Sequence, residues 1–253
     1  MDTDAYLSRI GFSGTVRRDT STLCRLQHCH LLTVPYENLD IMRAIPLPEE
    51  PDGLFEKIVT RRRGGYCFEL NGLFGALLRD LGFEVTDCFA RFLKGEPEIP
   101  IRRHRVLKVR TADGPVLCDA GIGMDCPVHP VRLDTYEVQS IGNQQYKITH
   151  DAFLGTVIHQ CAGGEWTPFF AFTDEPQLNK DFTAVSYYCQ THPDSVFNKR
   201  DILAIGNKYG EKDALNGDIL TYWDDNGKHK LTVTCAEQRL QIYSDRFGIK
   251  LQR

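Results

Sequence analysis

The sequence predicts an α+β fold in three consecutive parts: mainly helix over residues 1–83, an antiparallel sheet or barrel over 84–185, and a mixed α/β segment over 186–253. Apolar residues recur at helical spacing in the first part. Short strand-like stretches separated by turn residues fill the second part. The third part combines strands with a closing helix, and no repeat or low-complexity linker separates the parts. We therefore expect them to pack as one compact body.

Three helices are predicted in the first part. The first covers residues 20–32 and is capped by Asp19 or Thr20, residue types that accept a hydrogen bond at a helix start. The second covers 54–60 and follows a Pro-Asp-Gly turn. The third begins near Cys67, where apolar residues follow the i, i+3, i+4, i+7 pattern of one helix face.

Antiparallel strands are predicted in the second and third parts. Ala112-Asp-Gly-Pro separates strands over 106–110 and 116–119, which predicts a hairpin. A closing helix is expected over 236–247, ending at Gly248. The other strand candidates are 85–93, 145–149, 156–159, 168–172, 201–205, 218–223 and 230–234.

Composition places the chain among globular proteins. The 253 residues include 30 basic and 34 acidic side chains, for a net charge of −4, and 42% are hydrophobic. This balance excludes collagen, coiled coils and largely disordered chains. A mildly acidic chain has no general electrostatic affinity for nucleic acid, and no apolar run approaches the ~18–20 residues that span a bilayer. The acidic start Met-Asp-Thr-Asp-Ala lacks a signal-peptide pattern, so we expect a cytoplasmic protein without nucleic-acid or membrane partners.

The chain has nine cysteines, an odd number. In a reducing compartment we expect free thiols, most of them packed as small hydrophobic core residues. Cys24 and Cys29 with His28 and His30 suggest a zinc site as an alternative. These four residues fall on several faces of one predicted helix, so we predict no metal.

The stretch Arg61-Arg-Arg-Gly-Gly-Tyr-Cys-Phe-Glu-Leu-Asn71 has the pattern of a nucleophile site. Its two glycines allow a sharp turn and a close backbone approach. Cys67 follows at a helix N-terminus, whose unpaired N–H groups and partial positive charge favour a thiolate. The same N–H groups are suited to stabilise the oxyanion that forms when the sulfur attacks a carbonyl.

A partner imidazole and a carboxylate are expected on the predicted hairpin. His104 lies 37 residues after Cys67, at the start of the first strand, and Asp119 ends the second strand. With a turn at 112–114, both residues sit near the open end of the hairpin on facing strands. An imidazole activates a cysteine nucleophile and a carboxylate orients the imidazole. We therefore predict a Cys67–His104–Asp119 triad.

Several motifs together resemble one family, the arylamine N-acetyltransferases. The similarity is collinear over nearly the whole chain, which makes the ordered set far more specific than a lone Gly-Gly-x-Cys. The motifs are Tyr6-Leu-Ser-Arg-Ile-Gly11, Val34-Pro-Tyr-Glu-Asn-Leu39, Arg63-Gly-Gly-Tyr-Cys-Phe-Glu-Leu-Asn71, His104-Arg-Val-Leu-Lys-Val109, Asp119-Ala-Gly-Ile-Gly123, Tyr188-Cys-Gln-Thr-His-Pro-Asp-Ser-Val-Phe197 and Arg246-Phe-Gly-Ile-Lys-Leu251.

The resemblance implies that the three parts are a helical bundle, a β-barrel-like domain and an α/β lid, with a triad as in the cysteine protease-like superfamily. It implies ping-pong transfer of an acetyl group from acetyl-coenzyme A to the amine of arylamines, arylhydrazines or N-hydroxyarylamines. Cys67 would carry the acetyl group as a thioester. His104 would accept the proton of the incoming amine, and Asp119 would orient His104.

The resemblance also implies contacts around the cleft. Tyr188 and Ser195 match positions near the pantetheine and the nucleotide of the coenzyme. Arg103 belongs to a positive cluster that either meets the coenzyme phosphates or forms a solvated loop. Tyr36 and Ile122 each replace a phenylalanine that is common in the family. If Ile122 lines the acceptor pocket, aromatic stacking with the acceptor is lost there.

Three charged residues in the motifs are candidate catalytic charges, but we expect them to have a structural role. Arg9, Glu37 and Arg63 would form a buried ion-pair network that braces the active-site loop, because buried charges need partners.

Three alternatives fit parts of the pattern. A related amide synthase of secondary metabolism shares the triad but needs a wider cleft, with which Ile122 is compatible. A cysteine hydrolase of the transglutaminase or papain type has the same Cys, His, Asp order. A binding module without enzymatic activity would not need a reactive Cys67.

Overall fold

A computed structural model describes residues 1–123 and 126–251. Its mixed α+β fold contains an eight-stranded and a five-stranded antiparallel sheet. The helices are α1 Thr3–Arg9, α2 Thr20–Thr33, α3 Leu39–Met42, α4 Pro51–Phe55, α5 Cys67–Asp80, α6 Thr183–Thr191 and α7 Ala236–Phe247, with a π-helical segment at Glu56–Thr60 and 3-10 turns at Asn179–Phe182 and Val196–Asn198. In these residues, no helix has the length and apolar character needed to cross a membrane.

The strands form the two sheets in an order that departs from the chain order. The large sheet runs β5-β4-β3-β2-β9-β8-β7-β6 and the small sheet runs β1-β10-β11-β12-β13. The strands are β1 Tyr36–Glu37, β2 Glu84–Phe92, β3 His104–Thr111, β4 Gly114–Cys118, β5 Val131–Arg132, β6 Gln139–Ile141, β7 Gln144–Asp151, β8 Gly155–Ala162, β9 Glu165–Phe172, β10 Ile202–Gly206, β11 Lys212–Asn216, β12 Ile219–Asp224 and β13 Gly227–Thr232. The part boundaries at residues 83 and 185 stay predictions.

The predicted starts of α2 and α5 are confirmed. The side chain of Asp19 accepts a hydrogen bond from the backbone N–H of Thr22 at 2.8 Å, which caps α2. Helix α5 begins at Cys67. The carboxylate of Glu69 accepts a hydrogen bond from the N–H of Tyr66 at 3.2 Å, so a side chain just after Cys67 satisfies a backbone donor at the helix start.

The predicted hairpin is present as β3 and β4 of the large sheet. Leu107 lies opposite Cys118 at the last paired position of β4. His104 is the first residue of β3 and is paired with Ala90 of β2, whereas Asp119 directly follows β4. The open end of the hairpin therefore carries His104 and Asp119 together.

The small sheet connects distant parts of the chain. Its edge strand β1 pairs with β10, so that Tyr36 lies opposite Ala204 and Glu37 opposite Leu203. An isolated bridge also joins Tyr36 to Gly65. The segment that precedes Cys67 is therefore held against a strand from the last part of the chain.

Some elements differ from the sequence-based expectations. Pro51, Asp52 and Gly53 form the first turn of α4, because proline is well suited to the first position of a helix; the predicted turn there is wrong. Helix α6 does not follow from the pattern, since its threonine, valine and tyrosine residues are weak helix formers. Strands β1 and β5 have two residues each, too few to form a pattern.

A buried ion-pair network braces the segment before α5. Lys57 Nζ lies 2.9 Å from Asp40 and 2.7 Å from Glu69. Arg63 bridges Glu37 at 2.7 Å and Asp40 at 2.9 Å. Burial alone would lower the pKa of Lys57, but the carboxylates of Glu69, Glu37 and Asp40 raise that pKa above its ordinary value. Lys57 is therefore a buried cation shared by two carboxylates.

We expect Lys57→Met to lower the free energy of unfolding by about 3–5 kcal/mol, because Asp40 and Glu69 stay buried with one cation fewer. Arg61→Ala is the matched control. Arg61 pairs with Glu56 at 3.0 Å, but this pair is exposed, so its loss should change stability far less. Urea denaturation measures both variants, and equal losses would contradict this account of the network.

Candidate active site

A cavity of about 280 Å³ opens beside the start of α5. Five residues singled out by the sequence line it: Cys67, His104, Arg103, Tyr36 and Ile122. The other lining residues are Phe92, Glu96, Gly121, Gly123, Val196, Phe197 and Ile202. The walls are mainly aliphatic and aromatic, so charged groups in the cavity act on one another in a weakly screening environment.

The glycines before Cys67 serve close packing. A Cβ atom on Gly64 would stand 1.9 Å from the carbonyl oxygen of Pro35, which leaves no room for any side chain. The N–H of Glu37 donates to the carbonyl of Gly65 at 2.8 Å. The predicted close backbone approach is thus present, and it seats the start of α5 against β1.

Cys67 is almost completely buried, with 3% of its surface exposed. Its thiol points to the carbonyl oxygen of Arg103 at 3.9 Å. Burial raises the pKa of the thiol well above its ordinary value, and the nearby Cys189 and Asp119 add to the rise. The thiolate expected from the helix start is therefore opposed by desolvation, and a proton acceptor is needed to form it.

His104 and Asp119 are in direct contact. His104 Nε2 lies 2.6 Å from Asp119 Oδ2, and both side chains are buried. The contact that the hairpin predicts is therefore present. It occupies Nε2 of the ring, which leaves Nδ1 as the nitrogen with which an imidazole would serve the sulfur of Cys67.

Asp119 has further partners that sequence reasoning missed. The side-chain amide of Asn71 donates to Asp119 Oδ1 at 2.9 Å, and the N–H of Gly121 donates to the same oxygen at 2.8 Å. The side chain of Gln27 accepts from the N–H of Asp119 at 3.3 Å. Asn71 lies four residues after Cys67 on the same helix face, and this spacing is the sequence signal by which it could have been found. No local pattern pointed to Gln27, because its contact spans 92 residues of sequence.

The three residues assigned to the coenzyme lie in different places. Arg103 lines the cavity and pairs with Glu96. The half-buried ring of Tyr188 stacks on His192 with 4.3 Å between the ring centroids, and it lines a separate groove. The hydroxyl of Ser195 donates to the carbonyl of Cys189 in the preceding helix α6 at 2.5 Å. The coenzyme roles of these residues stay predictions.

Arg9 has a different set of partners from the one expected. Its guanidinium donates to the carbonyl oxygens of Ile58 at 3.1 Å and Thr33 at 2.7 Å. Burial lowers its pKa to about 10. Arg9 therefore ties two backbone segments together through neutral acceptors, and the expectation that it pairs with carboxylates is wrong.

Two further observations concern the thiols and metal ligands. The nine cysteines all lie in the described part of the chain and form no disulfide. Over residues 1–123 and 126–251, no group of three or more histidine, cysteine, aspartate or glutamate side chains is arranged to hold a metal ion.

Known proteins resemble this chain over nearly its whole length. A family model described as N-acetyltransferase matches residues 19–253. The arylamine N-acetyltransferase of Mycolicibacterium smegmatis is 36% identical over 99% of this chain and 93% of its own length. A Salmonella typhimurium protein named arylamine N-acetyltransferase / N-hydroxyarylamine O-acetyltransferase is 28% identical over 97% of this chain and 88% of its own length.

Solved structures give the same result. The arylamine N-acetyltransferase of Mycobacterium marinum superposes with a TM-score of 0.90 at 31% identity, covering 98% of this chain and 93% of its own. A second structure of that enzyme, in complex with CoA, has a TM-score of 0.89 at 30% identity, with the same coverage of both chains.

We expect Gly121→Ala to disturb the site. A Cβ atom there would stand 2.7 Å from Cys67 Cα and 2.8 Å from Asn71 Nδ2, so the Asp119 loop must move away from α5. The variant should lose about 1–3 kcal/mol of stability and react more slowly with iodoacetamide at Cys67. Gly123→Ala is the control, since its Cβ would lie 3.3 Å from the Tyr36 ring. Urea denaturation and alkylation rates measure both, and indistinguishable variants would refute the close-packing account.

Proposed function

This chain belongs to the arylamine N-acetyltransferase family, and we propose that it transfers an acetyl group from acetyl-coenzyme A to arylamines, arylhydrazines or N-hydroxyarylamines. The proposed mechanism is ping-pong and passes through an acetyl-Cys67 thioester. The observation that carries the proposal is the 2.6 Å contact between His104 and Asp119 in a cavity that Cys67 also lines. The CoA complex of the M. marinum relative supports acetyl-coenzyme A as the donor.

In the first half-reaction, the sulfur of Cys67 attacks the carbonyl carbon of the acetyl thioester. The thiol proton passes to Nδ1 of His104, while Asp119 holds the ring through Nε2 and stabilises the imidazolium. The bond from the carbonyl carbon to the sulfur of coenzyme A then breaks. The departing thiolate takes the proton from His104, which leaves Cys67 acetylated and the imidazole neutral.

In the second half-reaction, the acceptor nitrogen attacks the carbonyl carbon of acetyl-Cys67. His104 accepts a proton from that nitrogen, and the bond between carbon and the Cys67 sulfur breaks. The sulfur takes the proton back from His104, so the enzyme returns to its starting state. In both steps the backbone N–H groups at the start of α5 stabilise the oxyanion on the carbonyl.

The burial of Cys67 gives His104 a specific task. Because burial raises the pKa of the thiol, an isolated thiolate is scarce near neutral pH. Transfer of the proton to His104 creates a thiolate–imidazolium pair, whose attraction is strong in an apolar cavity. Reactivity is therefore proposed to come from the imidazole more than from the helix start.

The amide synthase alternative differs in its acceptors. Ile122 lines the cavity where the family commonly has phenylalanine, which removes aromatic stacking and favours broader acceptors. Profiling with anilines and hydrazines separates the two functions, because an amide synthase would leave these simple acceptors unmodified. The cytoplasmic location stays a prediction.

Acetyl-coenzyme A alone should add one acetyl group to the protein, and the group should map to Cys67, because a ping-pong enzyme needs no acceptor for this step. Cys67→Ala should abolish the added mass and the transfer activity. Cys235→Ser removes an exposed thiol instead and should retain both. Intact-mass spectrometry with peptide mapping is the measurement. Acetylation that persists in Cys67→Ala would reject the thioester proposal.

His104→Gln should slow alkylation of Cys67 by iodoacetamide at pH 7 by about 100-fold or more, because the thiol loses its proton acceptor. The direction in which the alkylation rate changes with pH follows from the raised pKa of the Cys67 thiol. Without the imidazole, thiolate forms only as pH rises toward that pKa, so the rate of the variant should climb with pH and approach that of the native protein under alkaline conditions. Coinciding pH profiles of the two proteins would exclude His104 as the acceptor.

A further inference from the structure

Two buried amide side chains each form hydrogen bonds at the end of the β3–β4 hairpin. Gln27 comes from α2 and Asn71 from α5, and both have 0% of their surface exposed. Buried amides are costly unless their donors and acceptors are paired. Both make several hydrogen bonds to the segment that begins at Asp119, although the mechanism uses neither residue directly.

Asn71 is oriented by three hydrogen bonds. Its Nδ2 donates to the carbonyl of Arg105 at 2.5 Å and to Asp119 Oδ1 at 2.9 Å. Its Oδ1 accepts from the N–H of Ala120 at 2.8 Å. Rotating the amide by half a turn would set its oxygen against two acceptors, so only one orientation satisfies all partners. Asn71 therefore fixes the Asp119 carboxylate and the backbone beside it at the same time.

Gln27 holds the backbone of the same segment. Its Oε1 accepts from the N–H of Asp119 at 3.3 Å, and its Nε2 donates to the carbonyl of Pro127 at 2.7 Å. One side chain of α2 thus ties together two backbone points that lie eight residues apart in the sequence.

These contacts replace hydrogen bonds that the sheet does not supply. His104 is a paired strand residue, opposite Ala90. Asp119 lies beyond the last paired position of β4, where Leu107 faces Cys118. The imidazole is therefore positioned by the sheet, whereas the carboxylate needs another support.

We propose that Gln27 and Asn71, here called the amide clamp, are positioning residues that hold the Asp119 carboxylate against His104. This rests on the proposed function in one respect, the role of His104 as proton acceptor for Cys67. Displacing a supporting group by about 1 Å costs on the order of 100-fold in rate. Loosening the clamp therefore lowers the reactivity of Cys67 without removing any group of the triad.

The test uses near-isosteric variants that cannot form the amide hydrogen bonds. Asn71→Leu should slow alkylation of Cys67 by iodoacetamide at pH 7 by about 10-fold or more. Since a tenfold change in rate corresponds to one pH unit, the rising limb of its rate–pH profile should move by about one pH unit toward that of His104→Gln. Gln27→Met should slow alkylation less than Asn71→Leu does, because the native Gln27 side chain contacts only backbone atoms of the segment.

Gln160→Met is the matched control. Gln160 is a buried amide of strand β8 with 3% of its surface exposed, and its Oε1 accepts a hydrogen bond from Lys94 Nζ at 2.9 Å. Its loss should lower stability and leave the pH profile of Cys67 unchanged. Urea denaturation of every variant shows which fraction is folded at each pH, so a general loss of fold is separated from a local effect.

The outcomes separate this inference from the proposed function. Alkylation requires no coenzyme, so it reports on the clamp even if acetyl-coenzyme A fails to modify the protein. Folded Asn71→Leu and Gln27→Met proteins with the native pH profile would overturn the clamp. A shift of the same size in Gln160→Met would also overturn it, because the effect would then be one of stability.

Discussion

The buried carboxylate of Asp119 is the constraint on which the site depends. With 2% of its surface exposed, it needs donors on both oxygens. His104 serves Oδ2, while Asn71 and the N–H of Gly121 serve Oδ1. These donors come from β3, from α5 and from the loop itself. The Asp119 carboxylate can accept all of these hydrogen bonds only where the end of the hairpin packs against the start of α5. That position brings the imidazole and Cys67 to one cavity.

The start of α5 is also held by hydrogen bonds to Glu69. The carboxylate of Glu69 accepts hydrogen bonds from both the ammonium of Lys57 and the N–H of Tyr66. The same group is thus part of the ion-pair network and part of the helix cap. A cysteine between two such supports has little freedom to move. Burial raises the pKa of the Cys67 thiol. In the proposed mechanism, the reactivity of this thiol is therefore controlled by proton transfer to His104, and the fixed position of Cys67 makes that transfer possible.

Local patterns in the sequence were sufficient for much of the fold and for the triad candidates. The cap of α2, the start of α5 at Cys67, the β3–β4 hairpin and α7 all agree with the structure. Each depends on residues within a few positions of one another. The turn expected at Pro51 failed because the same residues suit a helix start, and Arg9 was expected among carboxylates although it binds carbonyls.

The sequence by itself determined where the cysteine, the histidine and the aspartate stand in their own elements, because helix starts and hairpin registers follow from short-range spacing. Only the tertiary structure decided what surrounds them. The raised pKa of the Cys67 thiol, the inward hydroxyl of Ser195 and the hold of Gln27 on Asp119 depend on burial and on contacts between distant segments. Such contacts form when elements pack, and no pattern along a single segment encodes them.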